Sequence, residues 1–206
     1  MKDLSSEHDL EHLADEALME AYRQGDDRAF TVLVERYRIE LFQFLYRFTN
    51  DAAAADDLFQ EAFLQVHLSA DTFDTSRRFR PWLFTIAANK ARDLLRKNNR
   101  QSTQIAPSGF EPDSDEAQPV IEWAASDTLP PDEQLQNEET RQLVQQVVAS
   151  LPDHLREVLL LAYFHQFAYK QIAVMLGIPL GTVKSRLHAA VGTFANLWKQ
   201  RWKNRG

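Results

Sequence analysis

Cysteine is absent from this 206-residue chain, which excludes disulfides and thiolate metal sites. No stretch is apolar enough to cross a bilayer, and the acidic opening Met1 to Glu20 is not a secretion signal. There is no Gly-rich phosphate loop, no internal repeat and no segment with the alternation of a strand. The six histidines, at 8, 12, 67, 154, 165 and 188, show no carboxylate-supported ligand spacing. His8 and His12 are four apart but sit in a terminus expected to fray. Ser185 has no His/Asp partners nearby in sequence. These absences leave a soluble cytoplasmic protein, with no metal, cofactor, small-molecule substrate or enzymatic activity expected.

Charge is present in quantity but unevenly. The net charge of −7 conceals blocks: residues 1–76 carry 6 basic and 17 acidic side chains, and residues 77–100 carry 8 against 1. Residues 101–140 carry none against 10, residues 141–157 carry 2 against 2, and residues 158–206 carry 7 basic and no acidic ones. Two separated basic blocks in an acidic protein suggest two contacts with a polyanion.

Hydrophobic spacing predicts an all-α fold. From Ala14 to about His67 breakers are few, and Leu33, Tyr37, Leu41, Phe44, Leu45 and Phe48 form a stripe at helical spacing. Asn50-Asp51 interrupts the pattern and can cap a helix from Ala52 to about His67. A loop is expected over Ser69–Arg80, then a helix from about Pro81 to Lys97, because proline suits a first helical turn. Residues 14–100 thus form one small helical domain. Residues 101–131 read as a flexible acidic linker, rich in Pro, Ser and Gly and without helical period. Residues 132–206 form a second small helical domain, with helices near Glu133 to Leu151 and from Pro152 onward.

Within that second domain Tyr169 to His188 reads Y-K-Q-I-A-V-M-L-G-I-P-L-G-T-V-K-S-R-L-H, a helix-turn-helix pattern. Ile172, Ala173 and Leu176 mark a buried face, and Gly177 frees the turn from Cβ sterics. Ile178 plugs the turn and Pro179 prepares the next helix. Val183, Leu187, Ala190 and Phe194 then face inward, which leaves Lys184, Ser185 and His188 outward with Thr182 and Arg186 on the flanks. A helix displayed this way fits the major groove of DNA. Two further clusters carry chemistry. Asp56, Asp57 and Glu61 crowd one helix with Gln60, and Leu58 and Phe63 are available for packing; a basic partner would relieve their repulsion. Arg77, Arg78 and Arg80 crowd a loop, and Lys90, Arg92, Arg96, Lys97 and Arg100 continue along the next helix, interleaved with Phe73, Phe79 and Trp82. Such a segment tracks phosphates and stacks exposed bases. Trp82, beside Leu83 and Ile86, reads as a core anchor, and Asp93 as the acid that orients a neighbouring arginine.

Three segments in order resemble the extracytoplasmic-function (group 4) sigma factors of bacterial RNA polymerase. Asp51 to Phe63, D-A-A-A-A-D-D-L-F-Q-E-A-F, is similar to their polymerase-binding helix. R-P-W-L-F-T-I-A-A-N-K-A-R-D-L-L-R, within Phe73 to Arg96, is similar to their promoter-melting segment. Leu151 to His188, opening L-P-D-H-L-R-E-V-L-L-L, resembles their C-terminal DNA-reading domain. The resemblance implies that Asp56, Asp57, Leu58, Gln60, Glu61 and Phe63 bind the clamp helices of the largest polymerase subunit. It implies that the Phe73–Lys97 segment opens the −10 element, with Phe73 and Asn89 lining a pocket for a flipped base. It implies that Lys184, Ser185 and His188 contact base edges of the −35 element while Thr182 and Arg186 hold phosphates. The resemblance implies an anti-sigma partner as well, of a kind that can be anchored at the inner membrane. This chain departs from the pattern in following its recognition face with Ala189, Ala190, Val191 and Gly192, so fewer phosphate contacts are expected there. The basic tail Lys199, Arg201, Lys203 and Arg205 either compensates or is a solvated helix end anchored by Trp198 and Trp202.

Two readings therefore compete: a specificity subunit that recruits polymerase, and a conventional helix-turn-helix regulator whose N-terminal helices sense or dimerise. The acidic helix and the Arg/aromatic segment favour the first. A linker of some 30 to 40 residues spans roughly 30–35 Å when relaxed. Elements two helical turns apart lie about 70 Å from one another, so polymerase would have to set the spacing.

Overall fold

A computed structural model of the chain describes residues 10–103 and 138–203, without the side chains of 99–103 and 138–139. Most of the acidic linker, the first residues of the helix expected near Glu133, and Arg205 lie outside the described residues, as does the side chain of Arg100. Eight α-helices run in order among the described residues: α1 Asp15–Arg23, α2 Asp27–Thr49, α3 Ala52–Leu68, α4 Phe79–Thr103, α5 Glu138–Ala149, α6 Asp153–Leu159, α7 Tyr169–Leu176 and α8 Leu180–Lys203. The all-α class is as the periodicity predicts.

Local signals explain most boundaries. Asp26 caps α2 by accepting from the Arg28 backbone N–H at 3.1 Å. Asn50 ends α2 in the left-handed region (φ 56°), a conformation its short polar side chain tolerates. Asp51 then starts α3, accepting from the N–H groups of Ala53 and Ala54 at 2.9 and 3.2 Å. The helix expected from Pro81 begins earlier, at Phe79, since Pro81 occupies the first turn where no N–H is needed. Phe79 gains a second anchor: its N–H donates to Glu16 at 2.9 Å. The same helix runs past Lys97 to Thr103. The expected loop before it contains a short 3-10 turn, Ala70–Thr72.

The long α2 is the central strut. Its predicted stripe, Leu33, Tyr37, Leu41, Phe44, Leu45 and Phe48, is buried throughout. α1, α3 and α4 pack around it, and so do α5 and α6 of the C-terminal half, while α4 also touches α7. The buried residues form one continuous core that runs through both halves. In the C-terminal half α8 packs on α5, α6 and α7.

One irregular piece shapes the contact between the halves. After α6 the chain widens into a five-residue π turn, Leu160–Phe164, of the kind that often marks functional sites. Gln166 follows with φ 54°. This sharp exit swings His165 and Phe167 inward, where they are 4 % exposed each.

Candidate nucleic-acid and polymerase interfaces

The helix-turn-helix forms as its residues predict. Gly177 closes α7 at φ 65° with nothing near a hypothetical Cβ, so glycine is favoured there by backbone geometry alone. The α7 start is fixed by Gln171, whose side chain accepts from the Ala168 N–H at 3.0 Å. Ile172, Met175 and Leu176 are buried, and so are Val183, Leu187, Ala190 and Phe194 of α8. Lys184, Ser185 and His188 are exposed, with Thr182 and Arg186 half-buried on either side. The Ser185 hydroxyl donates back to the Thr182 carbonyl at 3.1 Å. The upper surface of α8 is thus a polar and cationic strip over an aliphatic base. Further along, Phe194, Trp198 and Trp202 stack in a ladder at 6.0 and 5.7 Å. Arg201 donates to Gln146 of α5 and to Ser150 just beyond that helix, so the basic tail is partly a structural brace.

On α3, Asp56, Asp57, Gln60 and Glu61 are exposed together. Leu58 and Phe63 are not with them: both are core residues, buried against the rest of the helical body. Their position corrects the expectation that they are available to a partner, because the α3 turn that presents the acids points these two inward. Leu64 and Leu68, unremarked in the sequence reading, are exposed instead at 57 % and 67 %. Asp57, Glu61, Leu64 and Leu68 follow i, i+4, i+7, i+11 spacing and form one stripe. That spacing was available as a signal: the two leucines fall off the apolar face carrying Ala55, Leu58, Ala62 and Val66. Gln60 donates to Asp56 at 3.1 Å, and Lys90 of α4 donates to Glu61 at 3.2 Å.

The Phe73–Lys97 segment divides into free and committed residues. Arg77 and Arg78 are over three-quarters exposed, pairing loosely with Asp74 at 3.3 Å and Glu16 at 3.8 Å. Arg96 pairs with Asp93 at 3.7 Å, as the lone acid in the block suggested, and Lys97 is exposed. Asn89 is exposed and accepts from Arg92. Phe73 is buried, its ring 4.6 Å from Trp82 and 5.9 Å from Phe79. Stacking on an exposed base therefore requires Phe73 to move, because it serves the core here. Trp82 is half-buried and anchors that cluster, as expected.

Arg80 and Arg92 are committed across the boundary between the halves. Arg80 pairs with Glu40 of α2, donates to the His165 carbonyl at 2.8 Å, and lies 4.2 Å over the Phe167 ring. Arg92 pairs with Glu157 of α6 at 3.1 Å. His165 Nδ1 sits 3.2 Å from the Glu40 carboxylate, with its ring between Phe44 and Phe84.

Electrostatics at this boundary follow from burial. Burial alone would raise the Glu40 carboxyl, but the hydrogen bonds and charges of His165 and Arg80 outweigh it and hold it down at about 2. For Glu157 burial wins over the cations Arg92, Arg186 and Arg96, and its carboxyl is pushed up to about 7. Its Oε1 makes no geometrically good hydrogen bond, nor does His165 Nε2. Burial likewise lowers His165, against the opposing pull of Glu40. Sequence reading missed Arg156, Glu157 and His165 as anchors. A signal existed: Leu155 to Leu161 is apolar at every position except 156 and 157, so no helix face could leave both in water.

Two helical halves, the second carrying an exposed helix-turn-helix, define an all-α protein of the helix-turn-helix class. Comparison with known proteins agrees. The Sigma-70 region 2 family matches residues 33–101, and the Sigma-70, region 4 family matches residues 141–193. The chain is 32% identical over 169 residues to the ECF RNA polymerase sigma factor SigW of Bacillus subtilis, covering 81% of this chain and 87% of that protein. It is 33% identical over 181 residues to the RNA polymerase sigma-H factor of Pseudomonas aeruginosa, covering 85% and 89%. CnrH, solved in complex with the cytosolic domain of CnrY, superposes at a TM-score of 0.64 with 25% identity, covering 91% of this chain and 99% of that one. The sigma factor RpoE from Bartonella quintana, solved with the anti-sigma factor NepR, shares the fold at a TM-score of 0.58 and 23% identity, covering 80% and 95%. The chain belongs to the extracytoplasmic-function sigma factors of bacterial RNA polymerase. It is a non-enzymatic specificity subunit that directs transcription initiation, and the conventional regulator reading is set aside. Among the described residues no helix is long and apolar enough to cross a membrane.

Proposed function

We propose that residues 14–100 bind core polymerase and open the −10 element, and that residues 132–206 read the −35 element, with residues 101–131 spanning between them. The observation that carries this division is the outward strip of α8, where Lys184, Ser185 and His188 stand exposed over a buried aliphatic face. Lys184, Ser185 and His188 contact base edges, while Thr182 and Arg186 grip phosphates. Asp56, Asp57, Gln60 and Glu61 meet the clamp helices of the largest polymerase subunit, and the stripe continues through Leu64 and Leu68. Leu58 and Phe63 act indirectly, by holding α3 in place. Arg77, Arg78, Asn89, Lys90, Arg96 and Lys97 engage the melted strand, joined by Arg80, Arg92 and Phe73 once these leave their partners in the free protein. The regulon is of the stress or envelope-response kind. The protein works in the cytoplasm, under an anti-sigma factor that holds it at the inner membrane.

The test is in vitro transcription with core RNA polymerase, this protein and a mixed library of promoter fragments. Discrete start sites that require both components, with two shared upstream elements, support the reading. Start sites sharing only one element would refute the division of labour between the halves.

A further inference from the structure

The polar strip of α8 continues past the edge of its own helix. α6 packs along α8, and two α6 residues one turn apart, His154 and Glu157, both feel the charge of Arg186. Arg186 thus stands at the α6 edge of the strip. Glu157 is buried and pairs with Arg92 of α4, whereas His154 is exposed. The exposed set Lys184, Ser185 and His188 is therefore bordered by Arg186 and, across the seam between the helices, by His154. Among the described residues nothing hydrogen-bonds to this imidazole.

Its protonation is set by its neighbours. Desolvation against the packed helices lowers its pKa from the ordinary imidazole value of 6.5, the Arg186 charge lowers it further, and Asp153 opposes both. Near neutral pH the ring is uncharged. A phosphate oxygen placed between Arg186 and His154 reverses that balance, because it screens one cation from the other and accepts from the imidazolium. The other charged groups of the seam are few. Asp153 lies 3.4 Å from Arg156, Glu157 sits among Arg92 and Arg96 of α4 and Arg186 of α8, and His188 belongs to the strip. α2, which also touches α6, brings the Phe48 carbonyl to Arg156 and no charge to His154.

We propose that His154 is a proton-dependent phosphate contact of the −35 interface, gripping one backbone phosphate together with Arg186. This rests on the reading of α8 as the −35 helix. A contact supplied from α6 also offsets the run Ala189 to Gly192, which leaves the far end of the α8 strip without cations. DNA binding then takes up a proton. Duplex affinity is highest at low pH, where the ring is already charged in the free protein. It falls to a lower plateau as pH rises through the higher pKa of the bound form.

The test measures the affinity of the holoenzyme, core RNA polymerase with the full chain, for a labelled duplex. That duplex holds only the farther upstream element shared by start sites found in transcription. Anisotropy titrations at fixed salt run from about pH 6 to about pH 8.5. Wild type should weaken as pH rises, by at most about tenfold per pH unit, since one proton is involved. His154→Gln cannot ionise and should stay at the weak end throughout, whereas His154→Arg should stay at the tight end. The side chain is exposed, and circular dichroism checks that both variants fold. Near the acid limit the log–log salt slope of wild type should exceed that of His154→Gln by about 0.9, the value of one phosphate contact. Glu157 also titrates, at about 7, so the comparison is repeated with Glu157→Gln, where the effect of His154→Gln should persist. Identical pH dependence in wild type and His154→Gln, or a difference that vanishes with Glu157→Gln, would overturn the proposal and leave the −35 reading intact. A duplex bound no better than unrelated sequence at every pH refutes the −35 reading, and the phosphate contact falls with it.

Discussion

Glu157 is held between two opposed forces, and burial is the larger. Its folded pKa of about 7 lies above the ordinary carboxyl value of 4.5. A raised carboxyl pKa means that the fold prefers the protonated form. The stability it contributes is fully present below pH 4.5 and is lost as pH rises through about 7. Glu157→Gln keeps the shape and cannot ionise. Urea unfolding of wild type and Glu157→Gln should therefore agree near pH 4 and diverge by pH 8. The variant should then be the more stable, by on the order of 2–3 kcal/mol. A wild type more stable at pH 8 would mean that the Arg92 pair outweighs desolvation. Arg156 presents the opposite case. Its guanidinium donates to the carbonyls of Phe48, Val148, Ala149 and Leu151, so the planar fork closes the ends of two helices. Arg156→Met should cost at least about 3 kcal/mol by denaturant unfolding, because buried acceptors are left without donors. Lysine cannot replace it, since one ammonium cannot reach so many carbonyls in a plane.

At the scale of the element, legibility tracked how local the determining forces are. The α2 stripe and the α8 base followed from period alone, and the Asn50–Asp51 break from capping chemistry. The N-terminus of α4 was misjudged by two residues because a distant group, Glu16, secures the Phe79 N–H. Leu58 and Phe63 were assigned to an interface although their spacing with Ala55, Ala62 and Val66 already placed them inside. The residues that join the two halves were unreadable as partners, because the Arg80–His165, Arg156–Phe48 and His165–Glu40 contacts lie 85, 108 and 125 positions apart in sequence. Two predictions belong here. Gly177→Ala meets no steric clash and should still cost about 1–2 kcal/mol, the penalty of a Cβ in the left-handed region; thermal unfolding would measure it. On α3, Asp57→Asn with Leu64→Ala should weaken core polymerase binding and leave unfolding stability nearly unchanged, since both side chains are exposed. An equal loss of stability and binding would mean that the stripe serves the fold.

For the whole molecule, the distribution of charge now has a spatial meaning. The acidic N-terminal stretch supplies Glu16 and Glu40 to arginines of the basic block that follows, and the acidic α3 supplies Glu61 to Lys90. Part of the sequence-level polarity is thus paired within the chain. DNA binding must exchange these contacts as well as release counterions. Arg186→Ala should reduce the log–log salt slope of duplex binding by about 1, uniformly across sequences. Lys184→Ala should instead lose discrimination at one position, by about 1–3 kcal/mol. Competition binding at several salt concentrations separates the two.

The Arg156–Phe48 bond also orders events in time. On the ribosome α2 emerges long before α6, so the Phe48 carbonyl is in place when Arg156 arrives. The N-terminal helices can assemble by themselves while synthesis continues, and the later half then settles on a finished template. A denatured full-length chain has no such schedule. There Arg156 is present before α1–α4 have packed, so the two halves can meet unfinished, and the order of assembly is set by their own folding rates instead of by synthesis.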